Sequence, residues 1–557
     1  MFSPLRRYDG LDFRTLFLRS IGIIYCIALF SYMLQYPGLS GERGLMPART
    51  FVTHISMKLG VHKPEDATFA TLASAFSSFP VLSLFYHPVV VAMTRVPSHG
   101  WFASLWPAWA IVEAIDLDLF HDALTMLGLL CSFCIALGAD SSLLFLCLHV
   151  IYLSLVTVGQ TFYSFQWDIL LLEITAVSVL YARLPFESKE EASHRAGLSE
   201  MLLEFVFFKL MFLSGVVKIQ SQCPTWGSLT ALEFHFATQC LPTFIAWYFH
   251  QLHPLILRLG VAFTLWAEIA GPLLVVSPIP AHRTVGACVQ VILQFGILLT
   301  GNYTYFNLLT LALVLPCLQT SPSWTSRWPR LQTFMALAFC GSSFFYLISV
   351  TPFPPVPMPP PQSTPVAPIP ASDGLEYTVD LSFRLSPAEL DALLALVLPY
   401  LRVFFHACFA IGALRLLAPV DTRTEVDIEM EAETAMGARL PSADKASSSS
   451  LVVLPQPSSS SFSSSSILSV SVSCSRRTGI IVRNVKVAGV ICLSYVFFLI
   501  AEYPLITVVS PPTGAHGQWS QWPSLVSLHT QRQWYRTGRT FSVASGYVCA
   551  YMHGGIV

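Results

Sequence analysis

The residues able to do chemistry in this chain are few, and they cluster between residues 163 and 240. Asp168 and Glu173 stand in FQWDILLLE, Lys209 and Lys218 lie in the next apolar run, which ends SGVVK, and Cys223 and Cys240 bracket the loop CPTWGSLTALEFHFATQC. An ionisable side chain in an apolar environment is costly, so it marks either a packed polar contact or a working site. A buried lysine with a lowered pKa can serve as a general base, which would make Lys218 the base of an intramembrane enzyme, with Asp168 or Glu173 as its partner. The plainer reading of Lys218 is a side chain snorkelling from the end of its run. Ser214 and Gly215 just before it permit close helix approach. Asp168 and Glu173 are five residues apart, which on a helix does not put them on one face, so a shared two-carboxylate metal site is disfavoured. Hydrogen bonding, or pairing with cations on neighbouring helices such as Lys209 or Lys218, is the favoured reading.

In the bracketed loop, Trp226, Glu233 and His235 are the residues a surface would present. Glu233 and His235 are ligand types, but without further spacing they do not define a metal site, and no metal or cofactor is expected. Two cysteines in an oxidising compartment would close this loop as a disulfide, worth a few kcal/mol in the chain-entropy account. No Walker A loop, GxSxG, HExxH or dinucleotide fingerprint occurs anywhere in the chain. A catalyst is therefore not expected.

The elements that must position these residues are set by composition. The 557 residues are 54% hydrophobic and 11% charged, against about 25% charged in soluble domains, and the mean hydropathy is +0.60. The chain reads as a multi-pass membrane protein with the lipid bilayer as its constant partner. A net charge of -1 without a basic patch gives no basis for binding nucleic acid. Most cysteines, including Cys131 and Cys134 of CSFC, fall inside apolar runs, where cysteine packs as a small hydrophobe.

A basic start (Arg6, Arg7, Arg14) precedes an apolar run over 17–36, too long for a signal h-region and without a cleavage site, which reads as a first span. Further runs occur at 119–138, 143–162, 167–183, 201–219, 259–277, 284–300, 303–318, 331–350, 390–417 and 487–509, each near the ~20 residues needed to cross a bilayer. The expectation is an all-α polytopic transmembrane bundle of about eleven spans with short loops. A weaker patch over 79–93 reads as interfacial. Lys and Arg sort to alternate connections, including Lys189, Arg195, Arg283, Arg327 and Arg330, whereas 219–257 has none. By the positive-inside rule the N-terminus is cytosolic, the bracketed loop lumenal and the C-terminus lumenal.

Residues 1–350 thus form a transmembrane core, and 351–389 a Pro-rich lumenal segment (PFPPVPMPPPQ), stiff and extended. A further span occupies 390–417, a Ser-rich cytosolic linker 418–486, too poor in packing residues to fold, the last span 487–509, and a short lumenal tail 510–557. Asn302 of the sequon Asn302-Tyr303-Thr304 falls on the lumenal side as a glycosylation candidate, close to the bilayer.

Several separated motifs carry a family resemblance. FQWDILLLE, LMFLSGVVK (Leu210 to Lys218), CPTWGSLTALEFHFATQCLP (Cys223 to Pro242) and LTGNYTYFNLLTL (Leu299 to Leu311), with GERGLMPA (Gly41 to Ala48) and VTVGQTF (Val156 to Phe162), occur in order and resemble the lipase maturation factors. The likeness is dense over 140–320 and thinner before it. It implies a multi-pass endoplasmic-reticulum protein that assists folding and assembly of secreted homodimeric lipases as a membrane-bound chaperone, with Cys223 and Cys240 as the paired cysteines. A fainter similarity, to the membrane segment of vitamin K-dependent carboxylases, rests on the approach to Lys218 and on Trp226. The chain departs from the family pattern after its last span, where the tail 510–557 is short. The rival readings are the Lys218 enzyme and a transporter, which would need a continuous polar path and discontinuous helices.

Overall fold

A computed structural model of the protein describes residues 13–51, 117–163, 165–221, 223–239, 242–318, 329–352, 379–417, 485–499 and 501–502. The interfacial patch over 79–93, Cys240, the Ser-rich linker, the tail 510–557 and most of the Pro-rich segment lie outside the described residues. Each of the eleven apolar runs holds a helix over most of its described part. In chain order these helices are α1 (Phe13–Leu39), α2 (Leu117–Ala136), α3 (Ser142–Val158), α4 (Gln166–Tyr181) and α5 (Lys189–Gln220). Three short helices come next, α6 (Pro224–Gly227), α7 (Ala231–Thr238) and α8 (Phe244–His250), then α9 (Pro254–Ile269), α10 (Gly271–Val275), α11 (Pro280–Thr300) and α12 (Phe306–Leu318). The remainder are α13 (Pro329–Leu347), α14 (Pro387–Leu417) and α15 (Val485–Leu499).

Among the described residues, four helices are long and apolar enough to cross a membrane, namely α1, α2, α11 and α14, with a fifth if the bent pair α8 and α9 counts as one span. The count on that criterion is four or five rather than eleven. The reason is physical: α3, α4 and α12 are 17, 16 and 13 residues long, shorter than the ~20 of a full crossing. α5 is long enough but bears Glu204, Lys209 and Lys218.

Helix starts obey local chemistry. α5 opens on a capping box, with Ser188 Oγ accepting from the Glu191 N–H (3.1 Å) and Glu191 accepting from the Ser188 N–H (3.0 Å). α14 repeats the device with Ser386 and Glu389 around Pro387. At 32 residues and ~1.5 Å each, α5 runs about 48 Å, so the apolar run read over 201–219 is only its inner part. From Leu202 to Leu213 α5 is buried almost without a break, as befits a helix apolar all round. It packs against α4, α9 and α12, while α1 packs on α2 and α12.

One departure from an all-helical chain is a two-stranded antiparallel ribbon, β1 (Ile348–Pro352) with β2 (Val379–Phe383), pairing Ile348 with Phe383 and Val350 with Leu381. It brackets the Pro-rich segment, so Thr351 and Pro352 are ladder residues rather than free extended chain. Contacts divide the chain into a unit of residues 1–409 with 494–557 and a unit of 410–493, whose described part is the last turns of α14 and most of α15.

Two contacts fix the start of the bundle. Gly22 of α1 lies so close to α2 that an added Cβ would stand 2.6 Å from the Ala136 nitrogen and 2.9 Å from the Ser132 carbonyl oxygen. Both are backbone atoms that cannot swing aside. Arg14 forks onto Asp140 in the α2–α3 connection at 2.8 and 3.1 Å and donates to the Tyr181 carbonyl (2.9 Å). Burial alone would raise the Asp140 carboxyl, but the hydrogen bonds and charge of Arg14, with the Arg183 N–H, outweigh it and hold it below the usual carboxylate range.

Gly22→Val is expected to lower stability by about 1–3 kcal/mol, the usual range for overpacking, read as a lower unfolding temperature in detergent; an unchanged midpoint would contradict the close approach. Because the Asp140 pKa is depressed in the fold, its contribution is present above the ordinary carboxylate pKa and is lost as pH falls through the lower folded value. Asp140→Asn should therefore flatten the acid limb of a stability-against-pH curve, and an identical limb would remove this assignment.

Candidate functional site

Three ionisable residues in the apolar run of α5 each meet an opposite charge on a different neighbour. Lys209 pairs with Glu173 of α4, both nearly fully buried. Lys218 donates to both carboxylate oxygens of Glu268 on α9, at 2.8 and 2.7 Å, and to the Ser214 carbonyl at 3.1 Å. Glu204 takes a two-pronged contact from Arg283 of α11 at 2.5 and 2.8 Å. Glu200 accepts from the Tyr181 hydroxyl at 3.0 Å. Before the run, Arg195 closes on Glu187 (2.8 and 2.7 Å) and on the Ala182 carbonyl (2.7 Å).

Asp168 is held differently. Its Oδ1 accepts from the hydroxyls of Tyr152 (2.6 Å) and Tyr305 (2.7 Å), which lie 2.6 Å from each other. Its Oδ2 accepts from the Phe165 N–H at the start of α4 (3.3 Å). Of the two expected fates, hydrogen bonding or pairing with a lysine, Asp168 has the first: among the described residues its side-chain partners are tyrosines, while Lys209 is taken by Glu173 and Lys218 by Glu268. Asp168 and Glu173 thus face different neighbours, as their five-residue spacing requires.

The approach of α5 to α9 makes the Lys218 contact. A Cβ on Gly215 would stand 2.6 Å from Ile269 Cγ1 and 3.0 Å from Glu268 Cβ, so the absence of a side chain there lets the two helices close until the lysine reaches the carboxylate. Trp226, expected on the surface, is instead 8% exposed, with Lys218 Nζ 5.4 Å from its ring centroid, a cation–π distance. Its indole N–H is buried without a partner among the described residues. Cys223 caps the one-turn helix that carries Trp226 and is disulfide-bonded.

Glu233 and His235 are half-buried on α7 and go separate ways. Glu233 accepts from Arg258 of α9 (3.1 Å), and His235 Nε2 lies 3.1 Å from the Tyr303 hydroxyl. Burial first, and then the nearby charge of Lys218, push the His235 imidazole below its ordinary pKa. Asn302 is exposed in the α11–α12 turn. Among the described residues no group of three metal-ligating side chains comes together.

Glu268, Arg283 and Glu204 do not stand out as site residues in the sequence. Glu268 carries a signal, a lone carboxylate in the apolar LWAEIAGPLL. Arg283 reads as a charge in a connection, although it sits in the half-buried first turn of α11 and pairs with Glu204.

Residues 13–323 match the family described as the lipase maturation factor transmembrane domain. Lipase maturation factor 2 of Gallus gallus is 38% identical over 304 residues, covering 54% of this chain and 37% of that protein. Its Homo sapiens counterpart is 35% identical over 320 residues, covering 54% and 39%. Lipase maturation factor 1 of Bos taurus is 26% identical over 307 residues, covering 55% and 48%. The chain thus spans less than half the length of these relatives, and no solved structure matches it.

Removing one partner of a buried ion pair leaves an uncompensated charge, at about 3–5 kcal/mol, whereas replacing both is close to neutral. Lys218→Met and Glu268→Gln should each destabilise the protein by that order in detergent, and the double variant by much less than their sum. Additive losses would show that the two side chains do not act as a pair.

Proposed function

The chain belongs to the lipase maturation factor family, and we propose that it works as a non-catalytic chaperone of the endoplasmic-reticulum membrane, assisting the folding and assembly of secreted homodimeric lipases. The observation that carries this reading is the fate of the ionisable residues. Lys218, the one candidate base, is engaged by both oxygens of Glu268, and Glu173 and Glu204 are likewise engaged by Lys209 and Arg283. A base neutralised within its own bundle positions helices; it does not wait for a substrate. In this reading the N-terminus is cytosolic, the C-terminus lumenal, and the Cys223–Cys240 disulfide and the loop it closes face the lumen, where an unfolded client is met. The support for that placement is the bonded state of Cys223 and the rarity of stable disulfides in reducing compartments.

The rival enzyme reading rests on the same lysine and is separated by one assay. In cells lacking their own maturation factor and expressing a secreted lipase, this chain should raise lipase activity per unit of secreted lipase protein. Lys218→Ala should reduce that gain in step with the protein's own abundance, and Cys223→Ser should reduce it while the membrane bundle persists. Unchanged lipase specific activity on adding the wild-type chain would sink the proposal. Loss of the gain with Lys218→Ala at undiminished abundance and stability would favour the enzyme.

A further inference from the structure

Helix α8 presents an aromatic face that nothing in the described chain covers. Its sequence is Phe-Ile-Ala-Trp-Tyr-Phe-His, without a lysine, arginine or carboxylate. Phe244, Trp247 and Tyr248 are 77%, 61% and 53% exposed, while Ala246 on the other side is fully buried. The three rings form one patch, with Tyr248 edge-on to Phe244 at 5.1 Å and to Trp247 at 5.0 Å.

We propose that α8 lies in the plane of the membrane, at the boundary between headgroups and acyl chains, with Phe244, Trp247 and Tyr248 seated in lipid. Three observations lead there. First, α8 is bent 115° from α9, 25° past a right angle, so where α9 stands across a bilayer α8 runs close to its surface. Seven residues make about 10 Å of helix, a third of the ~30 Å hydrocarbon core, so α8 cannot cross by itself.

Second, its depth is fixed by α11, one of the four helices able to span. The Thr243 hydroxyl donates to the Leu299 carbonyl in the last turn of α11 (2.9 Å) and accepts from the Ala246 N–H of α8 (3.1 Å). Just before it, the Gln239 amide donates to the Thr300 carbonyl (2.8 Å). The cap of α8 is therefore bonded to the end of a span. Third, the exposed apolar stripe of α11 (Ile292, Phe295, Leu299) ends at Leu299, whose carbonyl holds the cap of α8, so in the proposed placement the stripe would meet lipid along the span up to the level of the aromatic patch. Tryptophan and tyrosine, each an apolar body with a polar tip, favour this layer. The consequence is that α8 anchors the short helices between Cys223 and Thr238 at the bilayer surface. This inference depends on the membrane character of the chain and not on the lipase role.

The test is fluorescence quenching of the full chain in phosphatidylcholine nanodiscs whose lipids carry bromine either near the top of the acyl chain or near its terminal methyl. The Trp247 component is the difference between wild type and Trp247→Phe, and a second reporter, Phe244→Trp with Trp247→Phe, samples the neighbouring ring. Both components should be lost with bromine near the top, largely kept with bromine near the methyl, and protected from aqueous acrylamide. Strongest quenching by the deep bromine would place α8 in a crossing. Quenching by acrylamide alone, or by neither agent, would assign the face to water or to a protein partner, a second copy included. Each of these results overturns the proposal.

Discussion

A charge inside an apolar bundle has to be answered within the bundle, and that requirement organises this protein around α5. In lipid the tails are as apolar as leucine, so the hydrophobic effect does not choose which face of a helix meets which neighbour. The charges of α5 do choose. Glu204 and Lys209 lie about 140° apart around the helix at 100° per residue, and they meet α11 and α4 respectively. Lys218, about two and a half turns further on and about 40° from Glu204 in projection, meets α9. Three neighbours are thereby assigned to two faces and three levels of one helix, and α12 packs against it as well.

The same constraint shapes the backbone where it is irregular. Between α9 and α10 the helix breaks at Ala270, just before Gly271-Pro272, where the proline has no N–H to continue the ladder. Gln290 of α11 donates its amide to the Ala267 carbonyl at 2.6 Å, so a backbone oxygen at the break is satisfied by a side chain. Unsatisfied backbone at membrane depth is tolerated only with such help. Glu268, the partner of Lys218, stands immediately before the break, so the ion pair and the irregular backbone occupy one place in the fold. Trp226 closes over the lysine from the loop side and joins that loop to the same place.

Much of this is legible in the residues, and the limits have a physical cause. Apolar runs announce helices because run length and composition are local properties, and all eleven hold helices where they are described. Ser214 and Gly215 announce a close approach, and Gly215 does make one. What a run cannot encode is its partner: that Lys218 finds Glu268 rather than Asp168 depends on residues 50 apart in sequence, and on α9 rather than α4 standing beside the last turns of α5. Trp226 reads as surface because its loop is polar-flanked, whereas its one-turn helix folds back onto Lys218. The ribbon β1–β2 escapes the sequence for a similar reason. Its strands flank a proline-dense segment whose composition masks a pairing made at its two ends.

The paired charges also bear on why an apolar chain should keep charges at all. A buried ion pair is weak evidence of stability, since apolar residues of equal volume commonly do as well. What differs is the response to error. If α5 rotated or slipped by one turn, an all-apolar version would exchange one set of dispersion contacts for another at little difference in energy. With Lys209, Lys218 and Glu204 in place, the same slip strands charges away from Glu173, Glu268 and Arg283 together, at several kcal/mol each. The pairs therefore act mainly by raising the energy of the wrong arrangements. Asp168 obeys the same logic with hydroxyls in place of cations: Tyr152 on α3 and Tyr305 before α12 must both arrive for its Oδ1 to be satisfied, so one carboxyl registers three segments of the bundle at once.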